Sequence, residues 1–210
     1  MNTYALYLLG FVAQGCFGAR SIVQWVQSER AGKVVSPTLF WVFSVAGASL
    51  FLIYGLIRED VVIIVGQTIS FYIYVRNLQL KGVWVRVPRV ARYALLSTPV
   101  VLILLAFFQF NSFSFLETVV WTEPFLLMGA VGQLSLNLRY LYQWYYSELA
   151  NESLLPLGFW IISAVGSLLV VVYGVFRHDP VLLVSQSLGM VIYVRNIVLH
   201  GKMLRSSNPQ

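Results

Sequence analysis

Arg20 and Arg139 each sit in a long apolar run and are followed at four-residue intervals by a glutamine and a serine, giving Arg20-Gln24-Ser28 and Arg139-Gln143-Ser147. Residues four apart share a helix face, so each run lines up a guanidinium, a carboxamide and a hydroxyl. A second signature, Tyr74-Val75-Arg76-Asn77 and Tyr193-Val194-Arg195-Asn196, also occurs twice in apolar surroundings. Arginine at a bilayer centre costs from about 2.5 kcal/mol upward, so an embedded arginine marks a functional site by default. Its planar fork matches phosphate, and an anion that visits makes the buried charge tolerable. The chemistry to expect is recognition of a phosphate-bearing group.

Depth separates these cations. Arg76 lies five residues before Lys81 and Arg195 seven before Lys202, so both can snorkel to an interface. Arg20 lies about 10 Å inside the end of its helix at 1.5 Å per residue, where snorkelling is strained. Glu29 and Glu148 are the acids at comparable depth. The expected structural pairs are Glu29 with Arg76 and Glu148 with Arg195, which leaves Arg20 and Arg139 for a ligand.

The elements that must position these residues are membrane helices. With 59% hydrophobic and 10% charged residues, the chain departs from a soluble domain, in which about a quarter of residues are charged. Its apolar runs are continuous rather than alternating, which points to helices and not a barrel. Spans are expected at 4–27, 38–57, 61–80, 93–110, 124–146, 157–176 and 180–199, each near the roughly 20 residues a bilayer core requires. Pro37 and Pro156 stand at helix starts, where a missing N–H costs little. Met1-Asn2-Thr3 lacks a basic signal-peptide lead, and the first run is read as a retained span. Cys16 is the single cysteine, so no intrachain disulfide forms.

Loop charges set the orientation. Arg30, Lys33, Lys81, Arg86, Arg89, Arg92, Lys202 and Arg205 fall on one side, and Arg58 and Arg177 face Asp60, Glu117, Glu123 and Asp179 on the other. The positive-inside rule puts the N-terminus outside and the C-terminus in the cytoplasm. This asymmetry accounts for the net charge of +6 without a nucleic-acid partner.

An internal repeat dominates the chain. Offset by 119 residues, 10–82 aligns with 129–201 without a gap. The polar positions persist while the aliphatic ones drift: Gln14/Gln133, Arg20/Arg139, Gln24-Trp25/Gln143-Trp144, Ser28-Glu29/Ser147-Glu148, Phe40-Trp41/Phe159-Trp160, Ser44/Ser163, Gly47/Gly166, Tyr54-Gly55/Tyr173-Gly174 and Gln67/Gln186. The expected fold is an all-α membrane protein of seven transmembrane helices, two parallel three-helix bundles joined by a linker helix in a SWEET-like 3+1+3 order. Its parts are a first repeat at 4–82, a linker with the fourth helix at 83–122, a second repeat at 123–201 and a cytoplasmic tail at 202–210.

The run Gln-Trp-x-x-Ser-Glu, Pro-x-x-Phe-Trp-x-x-Ser-x-x-Gly, Tyr-Gly-x-x-Arg-x-Asp, Gln and Tyr-Val-Arg-Asn-x-x-Leu resembles the lipid-A-disaccharide synthase N-terminal domain family. That family belongs to the PQ-loop, SWEET-like group. The resemblance covers both repeats and implies a bacterial inner-membrane protein of lipid A or envelope-glycolipid biosynthesis. No soluble glycosyltransferase segment accompanies it in these residues, so synthase activity is not expected to follow from the resemblance.

Other shared residues admit two uses each. Trp25 and Trp144 fall near helix ends, where tryptophan anchors to the interface or stacks on a saccharide. Gln67 and Gln186, seven residues before Tyr74 and Tyr193, either line a polar cavity or bond between helices. Asn77 and Asn196 complete the signature and join the expected ligand set with Arg76, Arg195, Gln24 and Gln143. Asp60 and Asp179 begin helices, where capping is favoured over proton transfer.

Competing classes lack their marks. The chain has no DxD or Walker motif, and neither His178 nor His200 has a histidine counterpart in the other repeat, so no metal or cofactor is expected. Residues 180–199 contain no lysine for a retinal-type receptor. A carrier of neutral sugars has no need of buried arginines. The best-supported expectation is binding or translocation of a membrane lipid or lipid-linked sugar bearing phosphate. The alternatives are a scaffold for a separate glycosyltransferase and a small-solute transporter.

Overall fold

The computed structural model describes residues 3–58, 61–109, 124–176, 178 and 180–206. Asp60, Glu117, Glu123, Arg177, Asp179 and most of the expected linker beyond the fourth helix lie outside them. The described chain is helical: α1 Thr3–Ala31, α2 Thr38–Ile57, α3 Val61–Leu80, a 3₁₀ turn at Val83–Arg86, α4 Arg89–Gln109, α5 Pro124–Ala150, α6 Leu157–Phe176 and α7 Pro180–Ser206. All seven expected helices are present, with α1, α5 and α7 extending several residues beyond their expected ends. By length and apolar character α1, α2 and α6 qualify as spans among the described residues. The other four reach spanning length, but α3, α5 and α7 interrupt their apolar runs with glutamine, serine, asparagine and arginine.

Local sequence explains the helix boundaries. Pro37 holds an extended backbone (φ −69°, ψ 149°) immediately before α2, and its carbonyl accepts the Phe40 N–H. Pro156 accepts from Phe159 in the same way before α6. At the far ends of α1 and α5 the repeat-equivalent Gly32 and Asn151 take left-handed conformations, φ 65° and 51°, the geometry that stops a helix while keeping its last carbonyls bonded. Pro99 lies inside α4 and removes the N–H that would bond Leu95. The neighbouring Leu96 carbonyl accepts the Tyr72 hydroxyl at 3.0 Å, so α3 holds the weakened turn.

Packing divides the chain into two units, Met1–Val23 with Pro37–Thr118, and Gln24–Ser36 with Val119–Gln210. The second half of α1 and its following loop belong to the first repeat by sequence and to the second unit by packing. In the first unit, Leu52, Leu56 and Ile64 form an apolar cluster flanked by Leu102 and Ile103 of α4. In the second, α5 and α6 meet so closely that a Cβ on Gly132 would lie 2.8 Å from the Gly166 carbonyl oxygen.

The polarity of the fold is the reverse of a water-soluble protein. Arg20, Gln24, Ser28, Ser44, Asn77, Arg139, Gln143, Ser147, Ser163 and Asn196 are buried. Leu8, Phe11 and Ile22 of α1, Leu104 and Leu105 of α4, Leu134 and Leu138 of α5, Val165 and Leu168 of α6, and Leu188 and Val191 of α7 are exposed. A surface this apolar suits lipid contact, and the buried polar groups answer one another inside.

Candidate functional site

In the first unit, α1 delivers Arg20 to a cradle built by α2 and α3. Arg20 is 7% exposed, and its Nη1 donates to Ser44 Oγ and to the Tyr74 hydroxyl, both at 3.1 Å. Its Cζ lies 4.4 Å from the Phe17 ring centre and 5.5 Å from those of Phe40 and Tyr74, within cation–π range. Ser44 is itself tied to the Phe40 carbonyl at 2.6 Å, so the acceptor is fixed in place. Gly47 makes the cradle possible, because a Cβ there would fall 2.7 Å from the Phe17 ring.

The second unit repeats this with substitutions. Arg139 is 8% exposed and donates to Ser163 Oγ at 3.0 Å and to the Tyr140 hydroxyl at 3.4 Å. Rings of Tyr140, Phe159 and Tyr193 surround its Cζ at 5.0 to 5.3 Å. Each repeat therefore holds a guanidinium deep in its own fold, among hydroxyls and aromatic faces.

Below each arginine the stripe turns to structural work. Gln24 Nε2 donates to Ser28 Oγ at 2.9 Å, and Ser28 Oγ accepts the Val35 N–H of the following loop at 3.1 Å. Gln143 and Ser147 bind Leu154 in the same manner, with Gln143 Nε2 donating to Ser147 Oγ and to the Leu154 carbonyl, both at 2.7 Å. The glutamines expected to line a ligand site thus hold the connection into the next helix. Gln24 goes further and exchanges two hydrogen bonds with Asn196, at 2.8 and 3.2 Å, both amides being fully buried.

The expected ion pairs are rearranged. Glu29 is bound by Arg195, not Arg76: both Nε and Nη2 of Arg195 donate to its carboxylate, the second at 2.7 Å. Arg195 is therefore engaged away from Glu148, its expected partner. The reason is the packing of residues 24–36 with α7, which reasoning within one repeat does not anticipate. Arg76 Nη1 donates to Gln79 at 3.2 Å. Trp25 and Trp144 donate their indole N–H groups to Glu29 and Glu148, at 3.0 and 2.9 Å, one helical turn along. Asn77 donates to the Ile73 carbonyl at 2.9 Å, as Asn196 does to Ile192 at 2.8 Å. Gln186 Oε1 accepts from Ser167 at 2.7 Å, whereas Gln67 Oε1 is buried without a hydrogen-bond partner, its repeat-equivalent donor position being Ala48.

The sequence profile of the lipid A biosynthesis N-terminal domain family matches residues 9–79 and again residues 128–198. The chain belongs to this family. It carries the family domain in tandem, and the boundaries of the two copies coincide closely with the internal repeat. Among curated relatives, lipid-A-disaccharide synthases of Chlamydia pneumoniae, Chlamydia felis and Chlamydia trachomatis serovar D are 31%, 27% and 27% identical over 97%, 96% and 93% of this chain. The chain spans about a third of the length of those proteins, 34 to 35%. No solved structure matches it. The family relation carries lipid A biosynthesis from an expectation to a finding at the level of kinship.

Proposed function

We propose that the chain is an integral inner-membrane protein of lipid A or related glycolipid biosynthesis that binds, and in doing so presents or translocates, a lipid or lipid-linked sugar bearing phosphate. The observation carrying this reading is the pair of repeat-equivalent arginines, each more than nine-tenths buried and each offering guanidinium N–H groups in an aromatic, low-dielectric cradle where a phosphate interaction is strongest. Gln67 adds a buried acceptor in the first unit that suits a sugar hydroxyl. All seven helices are read as spans in the parallel 3+1+3 order, because each carries exposed apolar side chains and α1, α2, α3, α5, α6 and α7 also carry buried polar ones.

Orientation is tested by accessibility. In a Cys16→Ser background, cysteines at positions 89 and 207 are expected to resist an impermeant external thiol reagent while one at position 114 reacts. Labelling at 207 from outside would reverse the proposed topology.

The ligand is tested by thermal unfolding with phosphatidic acid and with diacylglycerol, its dephosphorylated counterpart. At a hundredfold excess over Kd, phosphatidic acid is expected to stabilise by about 2.7 kcal/mol and diacylglycerol by far less. Arg20→Gln and Arg139→Gln should each lose part of the phosphate-dependent shift, and the double variant nearly all of it. Each also loses cation–π and hydrogen-bond partners, so a lower Tm without ligand is expected from both. Lysine at either position should restore charge without the bidentate fork, and so only part of the shift. Equal shifts from both lipids, or an undiminished shift in the double variant, would remove the phosphate reading.

The alternative is a scaffold for a glycosyltransferase, drawn from the name of the chlamydial relatives, lipid-A-disaccharide synthase. A scaffold would keep its function with both arginines replaced.

A further inference from the structure

The hairpin α2–α3 and its repeat equivalent α6–α7 pair in one register, but a hydroxyl present in the second is missing from the first. In the second unit Trp160 faces Tyr193 at 6.1 Å, and two turns further along the hairpin Ser167 Oγ donates to Gln186 Oε1 at 2.7 Å. In the first unit Trp41 faces Tyr74 at 5.9 Å, and further along Leu52 packs with Ile64. Between those two contacts the shared register sets Ala48 opposite Gln67, the positions equivalent to Ser167 and Gln186. Alanine has no hydroxyl to give, and Gln67 Oε1 is buried without a hydrogen-bond partner.

The next residue is in the same condition. Thr68 Oγ1 is buried and unbonded, although a threonine within a helix commonly returns its hydroxyl to the carbonyl four residues back. Residues three, four and seven apart share a helix face, so Gln67 and Thr68 stand between Ile64, which is buried, and Phe71, fully buried, on the face that α3 turns to the core. Both are half-buried as whole residues, and Val65 and Ile69 beside them are exposed, so the unbonded oxygens lie just beneath the apolar surface. A buried acceptor without a donor is costly to keep, and a donor that arrives with a ligand accounts for it.

The surroundings select the donor. A phosphate dianion only accepts, and a buried cation needs a counter-charge that Ala48, Leu52, Ile64 and Phe71 do not supply. A neutral hydroxyl satisfies the acceptor without bringing charge. Gln67 lies about 9 Å along α3 from Val61 at 1.5 Å per residue, a depth in the proposed span where bulk water is absent and a hydroxyl comes with a lipid.

We infer that the α2–α3 hairpin of the first unit is a hydroxyl-binding site, in which a lipid hydroxyl donates to Gln67 Oε1 in the place that the Ser167 hydroxyl takes beside Gln186 in the second. This rests on the Gln67 part of the reading above and on neither arginine.

The test follows the thermal shift of the intact chain in a polyoxyethylene detergent, titrated with methyl 2-hydroxypalmitate, with methyl palmitate as its unhydroxylated parent, and with dodecyl glucoside. Wild type is expected to respond to a hydroxylated probe and not to the parent ester. Gln67→Leu keeps most of the side-chain volume, removes the acceptor and should weaken that response about fivefold, the ordinary worth of one neutral hydrogen bond. Ala48→Ser restores the donor of the second repeat, so it should raise the Tm without ligand and weaken the response to a similar degree. The two variants approach the site from its two sides, and either carries the test if the other does not fold. A response confined to dodecyl glucoside assigns the hydroxyl to a sugar, and one to methyl 2-hydroxypalmitate assigns it to an acyl chain; either supports the site. Equal responses to the two esters with none to the glucoside, or a hydroxyl response undiminished in either variant, overturn the inference and leave Gln67 to water. The phosphatidic acid shift and its loss in the arginine variants are read separately and stand or fall without it.

Discussion

Replacing Gln24 with leucine is expected to be among the most damaging single changes in the protein, at about 3–5 kcal/mol. The carboxamide of Gln24 bonds Ser28 Oγ, reaches the Val35 carbonyl at 3.4 Å and exchanges two hydrogen bonds with Asn196, all in sites shut off from solvent. Leucine nearly matches its volume but leaves the Asn196 amide without that partner, and each buried polar group stranded this way costs about 1–3 kcal/mol. The cost is therefore set less by the bonds lost than by the groups left behind. Asn196→Leu alone should destabilise comparably, and the double variant should recover a substantial part, because both halves of the pair are then apolar. Chemical unfolding in detergent of the two single variants and the double provides the cycle. Strictly additive losses would mean that the two amides do not depend on each other.

The second large effect belongs to Gly132. An alanine Cβ would meet the Gly166 carbonyl oxygen at 2.8 Å, Leu169 Cβ at 2.9 Å and Val170 Cγ2 at 2.9 Å. A backbone oxygen cannot rotate away, so α5 and α6 must separate, and overpacking of this kind costs about 1–3 kcal/mol and occasionally more. The matching position in the first repeat is already Ala13, fully buried. The reverse change, Ala13→Gly, should cost no more than about 1 kcal/mol, the ordinary penalty of glycine within a helix. Thermal unfolding of both variants decides it: equal and small losses would show that the α5–α6 approach is looser than the structure describes. Separation there would also displace Ser163 from Arg139, so Gly132→Ala should weaken phosphate binding more than its loss of stability alone predicts.

The helices were readable from the sequence because apolar run length, Pro37 and Pro156 act locally. The buried polar set was readable because residues kept between the repeats while their apolar neighbours drift are answering to partners. The partners themselves were harder. Ser44 and Ser163 carried a usable signal, being shared hydroxyls on the helix after the arginine, yet a serine beside a glycine reads equally well as close helix packing. Trp25 and Glu29 stand four apart, a spacing that permits the indole-to-carboxylate bond, but tryptophan near a helix end draws the interfacial reading first. The Glu29–Arg195 pair was out of reach for a physical reason. Repeat alignment compares each residue with its copy and leaves open which copy supplies its neighbour. Charge inventory fixed how many pairs to seek and assigned them within one repeat.

The reciprocal amide pair joins residues 172 apart in the chain. Ribosomes add about 5–20 residues per second, so Gln24 enters the membrane roughly ten to thirty seconds before Asn196 exists. For that interval its carboxamide has Ser28 and the Val35 carbonyl, within its own helix and loop, as temporary company. Every message truncated before codon 196 leaves the same amide waiting without end. The helix made later, α7, is therefore the one that completes α1, and a quality-control protease that senses an unsatisfied polar group in α1 would be reading whether translation had passed codon 196.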